Sequence, residues 1–175
     1  MKEKDALALL MKAGCFSSVI NHGKTVGGFA KEIAIKISEN AVKKGIPVDI
    51  DIDAVFIGGL LHDLGRSKTH GIRHAIEGAA IAVEYGLDEK LVRIIERHIG
   101  AGIPVEVALG LGLPENDYMP VTIEEKIVAH ADNLVFGDKI GTEEEMILNL
   151  KRNHFDGKII RRFIKLNNEI TAMLV

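Results

Sequence analysis

Apolar positions recur at intervals of three and four along almost the whole chain, the spacing that builds one face of an α-helix. Ala6, Leu7, Leu10 and Met11 share such a face over residues 3–13. A longer pattern over 17–44 sets Val19, Val26, Phe29, Ala30, Ile33, Ile37 and Ala41 on one stripe. Gly45 offers a left-handed cap at its end, and Pro47 cannot continue the helix. Asp51 or Asp53 can cap the next helix, which runs through AVFIGGLLHD and ends at Gly65. Helices over 72–86 and 88–99 follow, split by YGLD, and then a Gly/Pro-rich segment with LGLPENDYMP (111–120) as its loop. Thr122 opens TIEEKIVAHADNLVF with Glu125 at the third helical position, a capping-box pattern. The tail reads as helical from Thr142 to about Leu150 and from about Gly157 to Leu174. Neither alternating strands nor internal repeats occur, so the pattern predicts an all-α, single-domain protein over 1–175 with about eight helices.

Composition narrows this only slightly. With 175 residues, 47% of them hydrophobic, the chain can bury a core without disulfides, and Cys15 is the lone cysteine. A net charge of −3 implies no general nucleic-acid or membrane-surface patch. Aromatic residues make up 5%, too few for a run of stacking platforms along a single strand. The opening MKEKDALALLMKAGC mixes acids with bases and is a poor signal peptide. A cytoplasmic location without membrane association is the expectation.

The chemistry lies in the histidines: His22, His62, His70, His74, His98, His130 and His154. Any one of them alone reads as a core residue bonded to a backbone carbonyl. His62 and Asp63 are different, because an apolar helix ends on both at once. Helical neighbours are about 100° apart, so the two can share a cation only near the helix end. Imidazole with carboxylate suits a divalent transition metal such as Fe, Mn, Co, Ni or Zn. Asp132 sits in the mostly apolar AHADNLV, where a carboxylate is costly to bury unless it is paired or ligated.

The order His22, His62-Asp63, Asp132, with LLHDLGR at its centre and ADNL in register, resembles the HD superfamily of metal-dependent phosphohydrolases, and its motif core spans 18–136 with a helical extension over 142–174. The family's all-α bundle agrees with the helical pattern. The resemblance implies that His22, His62, Asp63 and Asp132 hold a first metal. His74 in RHAIEGA and His98 in IERHIG resemble the second-metal histidines of the binuclear branch, with Asp63 bridging two ions; a single ion is the alternative. The pattern is particularly similar to enzymes of the superfamily that hydrolyse diadenosine tetraphosphate symmetrically. It lacks the Gly-Tyr-Pro signature of the cyclic-di-GMP branch, and ERHIGAG (96–102) stands in that place.

Arg66 and Lys68 follow the metal pair and are candidates for holding a phosphate, with Asp63 and His62 as the other catalytic candidates. Arg73, Arg97 and Lys24 are weaker candidates for the same role. His70 reads as a loop residue near the site mouth, His130 as a packed residue turned away from Asp132, and His154 as surface. Gly58 and Gly59 serve close helix approach. The tail face Ile159, Ile160, Phe163, Ile164 and Leu166 can close the core or form a homodimer face. The expectation is a phosphohydrolase that cleaves a phosphoester or phosphoanhydride of a nucleotide or small phosphorylated metabolite through a metal-activated hydroxide. A nucleotide sensor without turnover and a purely structural helical protein are the alternatives.

Overall fold

In the computed structural model, which describes residues 1–175, the helices follow in the order α1 (Glu3–Ala13), α2 (Ser17–Lys44), α3 (Ile52–Leu61), α4 (His74–Glu84), α5 (Glu89–Arg97), α6 (Val105–Ala108), α7 (Ile123–Leu134), α8 (Glu143–Arg152) and α9 (Gly157–Met173). A two-stranded antiparallel hairpin, β1 (Val135–Phe136) and β2 (Lys139–Ile140), interrupts the run after α7. The ninth helix relative to expectation is the single turn α6, and the hairpin is the one strand pair that periodicity does not predict.

Apart from Asp53 in its first turn, α3 is apolar, because it lies between the two halves of the core. Val55 joins the cluster of Val26, Ile33, Ile37, Ile94, Ile127, Val128, Leu166 and Ile170. Ile57, Leu60 and Leu61 join the cluster of Ala6, Leu9, Leu10, Leu64, Ile81, Leu91 and Ile95. Asp51 is the cap of α3, accepting from the Ala54 amide at 2.9 Å. The buried face of α1 is Ala6, Leu9 and Leu10, and Met11 is 63% exposed. The helix is rotated because it must lay Leu9, rather than Met11, on α3. Leu166 and Ile170 of α9 close the main core, while Ile159, Ile160, Phe163 and Ile164 are half-buried.

Two glycine contacts set the spacing on which the rest depends. A Cβ on Gly23 or Gly27 of α2 would stand 2.5 Å from the Leu60 carbonyl oxygen or 2.8 Å from that of Phe56, and one on Gly59 would meet Gly27 Cα at 2.7 Å. The α2 and α3 backbones therefore touch, which draws His22 toward His62. Gly58 makes room for the Ile94 side chain of α5 instead. After α3, a short 3₁₀ turn over Leu64–Ser67 carries Gly65 against the His74 carbonyl and the Gly78 amide. Those are backbone atoms that cannot move aside. Gly65→Ala is expected to destabilise the fold by on the order of 3 kcal/mol, measured by urea unfolding with and without metal; an unchanged midpoint counts against this packing.

Thr122 caps α7 by accepting from the Glu125 amide at 3.3 Å, but Glu125 does not return the bond to Thr122. Its carboxylate accepts from the Val121 amide at 2.7 Å and from Arg97 at 3.1 Å. The complete capping box is at α8, between Thr142 and Glu145. No helix is long and apolar enough to cross a membrane.

Candidate metal centre

His62 is the C-cap of α3, and Asp63 leaves the helix at φ −93°, ψ 17°. That break turns two neighbouring side chains to the same side, with His62 Nε2 3.6 Å from Asp63 Oδ2. His22 comes from α2, Asp132 from the last turn of α7, His74 from the first position of α4, and His98 from the C-cap of α5. All six converge. Asp132 Oδ1 lies 3.0 Å from His22 Nε2 and 3.3 Å from His62 Nε2. Asp63 Oδ1 lies 3.2 Å from His74 Nε2 and 3.6 Å from His98 Nε2. Two groups have donor atoms mutually within 4.8 Å: His22, His62 and Asp132, and His62, Asp63 and His98.

The four imidazoles share one arrangement. The Nδ1 atoms of His22, His62, His74 and His98 lie 2.6, 2.7, 2.8 and 2.7 Å from the carbonyl oxygens of Gly137, Gly59, Gly71 and Ile95. A carbonyl can only accept, so each Nδ1 carries the hydrogen. Each Nε2 of a neutral ring is then a lone pair aimed inward. The His74 and His98 Nε2 atoms face one another at 3.0 Å, two lone pairs with no hydrogen between them in the neutral rings. His62 Nε2 and Asp63 Oδ1 are buried and have no hydrogen-bond partner. Arg66 is the one side chain outside the six that donates to this set, at Asp63 Oδ2. The Nε2 lone pairs and remaining carboxylate oxygens that face one another call for a cation, and imidazole with carboxylate is the ligand set of a divalent transition metal. The residues fit such a group and could hold metal ions.

The electrostatics agree. Burial alone would push the His62 pKa down, but the charges of Asp63 and Asp132 override it and raise it to about 9. Burial likewise opposes the carboxylate form of Asp63 and Asp132. The His62 charge and bonds from the neighbouring histidines outweigh it and hold both well below the usual carboxylate range. Without metal, a proton on His62 takes part of the cation's place. Burial pushes His98 down.

The remaining candidates divide. Arg66 donates Nε to Asp63 Oδ2 at 2.6 Å and Nη1 to the His70 carbonyl at 3.3 Å, and Nη2 has no partner in the chain. Lys68 and Lys24 are exposed. Arg97 is not a phosphate candidate: it is paired with the buried Glu125, where an unpaired carboxylate would be costly. Arg73 is also otherwise engaged, holding the 111–120 loop through the Gly112 carbonyl at 2.9 Å. That loop is further tied by the Ile103–Tyr118 bridge and packs around Ile103, Ala108, Leu113 and Tyr118.

His130 is 3% exposed, and burial lowers its pKa to about 4 from 6.5. It must charge on unfolding in acid, so it costs stability as pH falls below 6.5, reaching on the order of 3 kcal/mol by pH 4. His130→Leu is expected to flatten that part of the stability–pH curve in urea titrations; an unaltered slope counts against a neutral buried ring.

Sequence reading missed the hairpin, and with it the group that orients His22. The Gly137 carbonyl at its tip accepts from His22, and Thr25 donates to the Asp138 carbonyl at 3.5 Å. The signal was present: Gly-Asp between Val-Phe and Lys-Ile is a two-residue hairpin turn, and Gly137 has φ 69°. Asn133, which donates to the Gly100 carbonyl at 2.9 Å, ties α7 to the turn after His98.

Comparison with known proteins places this geometry. The chain is 48% identical over 178 residues to an uncharacterized protein of Methanocaldococcus jannaschii, covering 99% of each. It is 41% identical over 172 residues to the tRNA (cytidine(56)-2'-O)-methyltransferase of Thermoplasma volcanium, covering 98% of this chain and 47% of that protein. The chain thus spans about half the length of that relative. In structure it is similar to the HD domain of the L. monocytogenes phosphodiesterase PgpH, solved in complex with cyclic-di-AMP, at a TM-score of 0.56 and 14% identity over 97% of this chain and 95% of that one. The sequence model described as HD domain matches residues 19–137, which include all six converging side chains. The chain belongs to the HD domain family.

Proposed function

We propose that the chain is a metal-dependent phosphohydrolase acting on a phosphoester or phosphoanhydride of a nucleotide. The observation that carries this reading is the convergence of four inward Nε2 atoms and two carboxylates. His22, His62, Asp63 and Asp132 would hold one ion, and Asp63, His74 and His98 a second, with Asp63 between them. Ions bound there supply positive charge against phosphate oxygens and acidify a water.

The chain's own groups prepare for that. Backbone carbonyls hold all four rings in the tautomer that presents Nε2. Arg66 clamps Asp63 so that its other oxygen, Oδ1, faces His74 and His98. At the edge of the centre the side chains of His22, Asp132 and Arg66 are 17, 21 and 30% exposed, whereas His62 is sealed. Arg66 Nη2 makes no hydrogen bond within the chain, so its N–H groups remain free to donate to a phosphate oxygen at the centre.

A nucleotide as substrate is supported by the relatives, whose names point to tRNA in one case and cyclic-di-AMP in another. The net charge of −3 favours a small nucleotide over a long polyanion. The test is a hydrolysis panel of dinucleoside polyphosphates, cyclic dinucleotides, 2′,3′-cyclic nucleotides and nucleoside monophosphates, each with Mn, Co, Ni or Fe. Turnover with at least one class is expected. Metal-loaded protein inactive across the panel but binding nucleotide would replace this reading with that of a sensor.

A further inference from the structure

Phe16 stands at the N-terminal end of α2 and is 65% exposed. His70 is exposed on the loop after the His62-Asp63 pair. Their rings lie nearly parallel, 12° apart in orientation with centroids 6.3 Å apart. Phe16 belongs to none of the apolar clusters of the core.

Both rings are connected to the metal centre. Arg66 spans from Asp63 Oδ2 to the His70 carbonyl, so the backbone of His70 is placed relative to the ligand carboxylate. On the other side, Cys15, next to Phe16, donates its thiol to the carbonyl of Leu64, the residue after Asp63, at 3.5 Å. Phe16 precedes His22 by six residues on the same helix, an axial separation of about 9 Å. A nucleoside monophosphate spans a comparable length between phosphate and base. Arg66, 30% exposed, thus links the edge of the centre to this loop.

We propose that Phe16 and His70 form the stacking site for the base of a nucleotide whose phosphate lies at the metal centre. The proposal rests on the reading of that centre as a phosphohydrolase site and extends it to the substrate's other end. Near-parallel rings favour one orientation of a third planar group, and stacking uses a face that every base has. The site therefore takes nucleotides in preference to phosphorylated sugars, without selecting strongly among the four bases. Phe16 and His70 touch the base and leave the reacting phosphate to the centre.

The experiment is titration calorimetry of the Mn-loaded 175-residue chain with AMP and with ribose 5-phosphate, for the wild type, Phe16→Ala, Phe16→Tyr and His70→Ala. Metal content per chain is measured in each. Phe16→Ala is expected to raise the AMP dissociation constant on the order of tenfold, with His70→Ala in the same direction and Phe16→Tyr close to wild type. Ribose 5-phosphate affinity and metal content are expected to stay unchanged in all four. AMP affinity unaltered in both alanine variants overturns the proposal, as does an equal loss for AMP and ribose 5-phosphate. A wild type that binds the two equally also overturns it, while leaving the hydrolase reading intact. Failure to hydrolyse any nucleotide defeats the hydrolase reading instead, and the stacking result is then decided by binding alone.

Discussion

Asp63→Asn is expected to remove metal binding and turnover together while leaving a folded chain. The carboxylate faces His62 on one oxygen and His74 and His98 on the other, so both halves of the centre depend on its charge. Loss of a partner one shell further out already costs about 10–100-fold in metal affinity or activity. Loss of the shared ligand should exceed about a hundredfold. Asparagine keeps the shape, and its amide can donate to the inward Nε2 lone pairs that the carboxylate cannot satisfy without a cation. Circular dichroism should therefore be close to wild type, with metal per chain near zero. Full metal content with lost turnover would contradict the bridging role.

Metal removal is the second large effect. Saturation with Mn at about a thousand times its dissociation constant stabilises the folded chain by about 4 kcal/mol. For a chain of this size that is a rise in Tm of roughly 8–16 °C, which a chelator should reverse. The pH dependence follows from the shifted groups. In the metal-free protein the His62 pKa is raised from 6.5 to about 9, so its contribution is full below 6.5 and lost as pH rises through about 9. Asp63 and Asp132 are depressed below 3.8, so their contribution is present above 3.8 and lost as acid reaches their folded values. Metal replaces the His62 proton, so binding at pH 7 releases about one proton, measurable by calorimetry in buffers of different ionisation enthalpy. The metal-induced rise in Tm should therefore grow from pH 6 toward pH 9 and shrink in acid, where the Nε2 atoms protonate. A rise independent of pH between 5 and 8 would contradict a site built from these imidazoles.

Much of this was legible along the chain because its causes are local. Helix α3 has no polar side chain after Asp53 in its first turn, and a helix with no polar face has to be surrounded. The pair His62-Asp63 stands where such a helix stops, and only at a helix end can adjacent side chains meet. Asp51, one of the two caps offered for its helix, and Thr122 cap where their spacing predicts, since a cap is a bond between near neighbours in sequence.

What was not legible depends on distant partners. The roles of Arg73 and Arg97 were set by Gly112 and by Glu125, 39 and 28 residues away, and no local pattern reports such pairs. The orientation of α1 was set by α3, which selected Leu9 over Met11 from two equally apolar faces.

By itself the sequence determined the eight longer helices, their order, Gly59 as a point of close helix approach, and the six side chains able to hold cations. Tertiary structure alone decided that those six meet. It did so by pressing α2 on α3 at Gly27 and Gly59, and the turn after Asp63 on α4 at Gly65 and Gly78. It also decided which nitrogen each histidine presents, because a ring's tautomer is set by the carbonyl facing its other nitrogen. For His22 that carbonyl, Gly137, lies 115 residues along the chain.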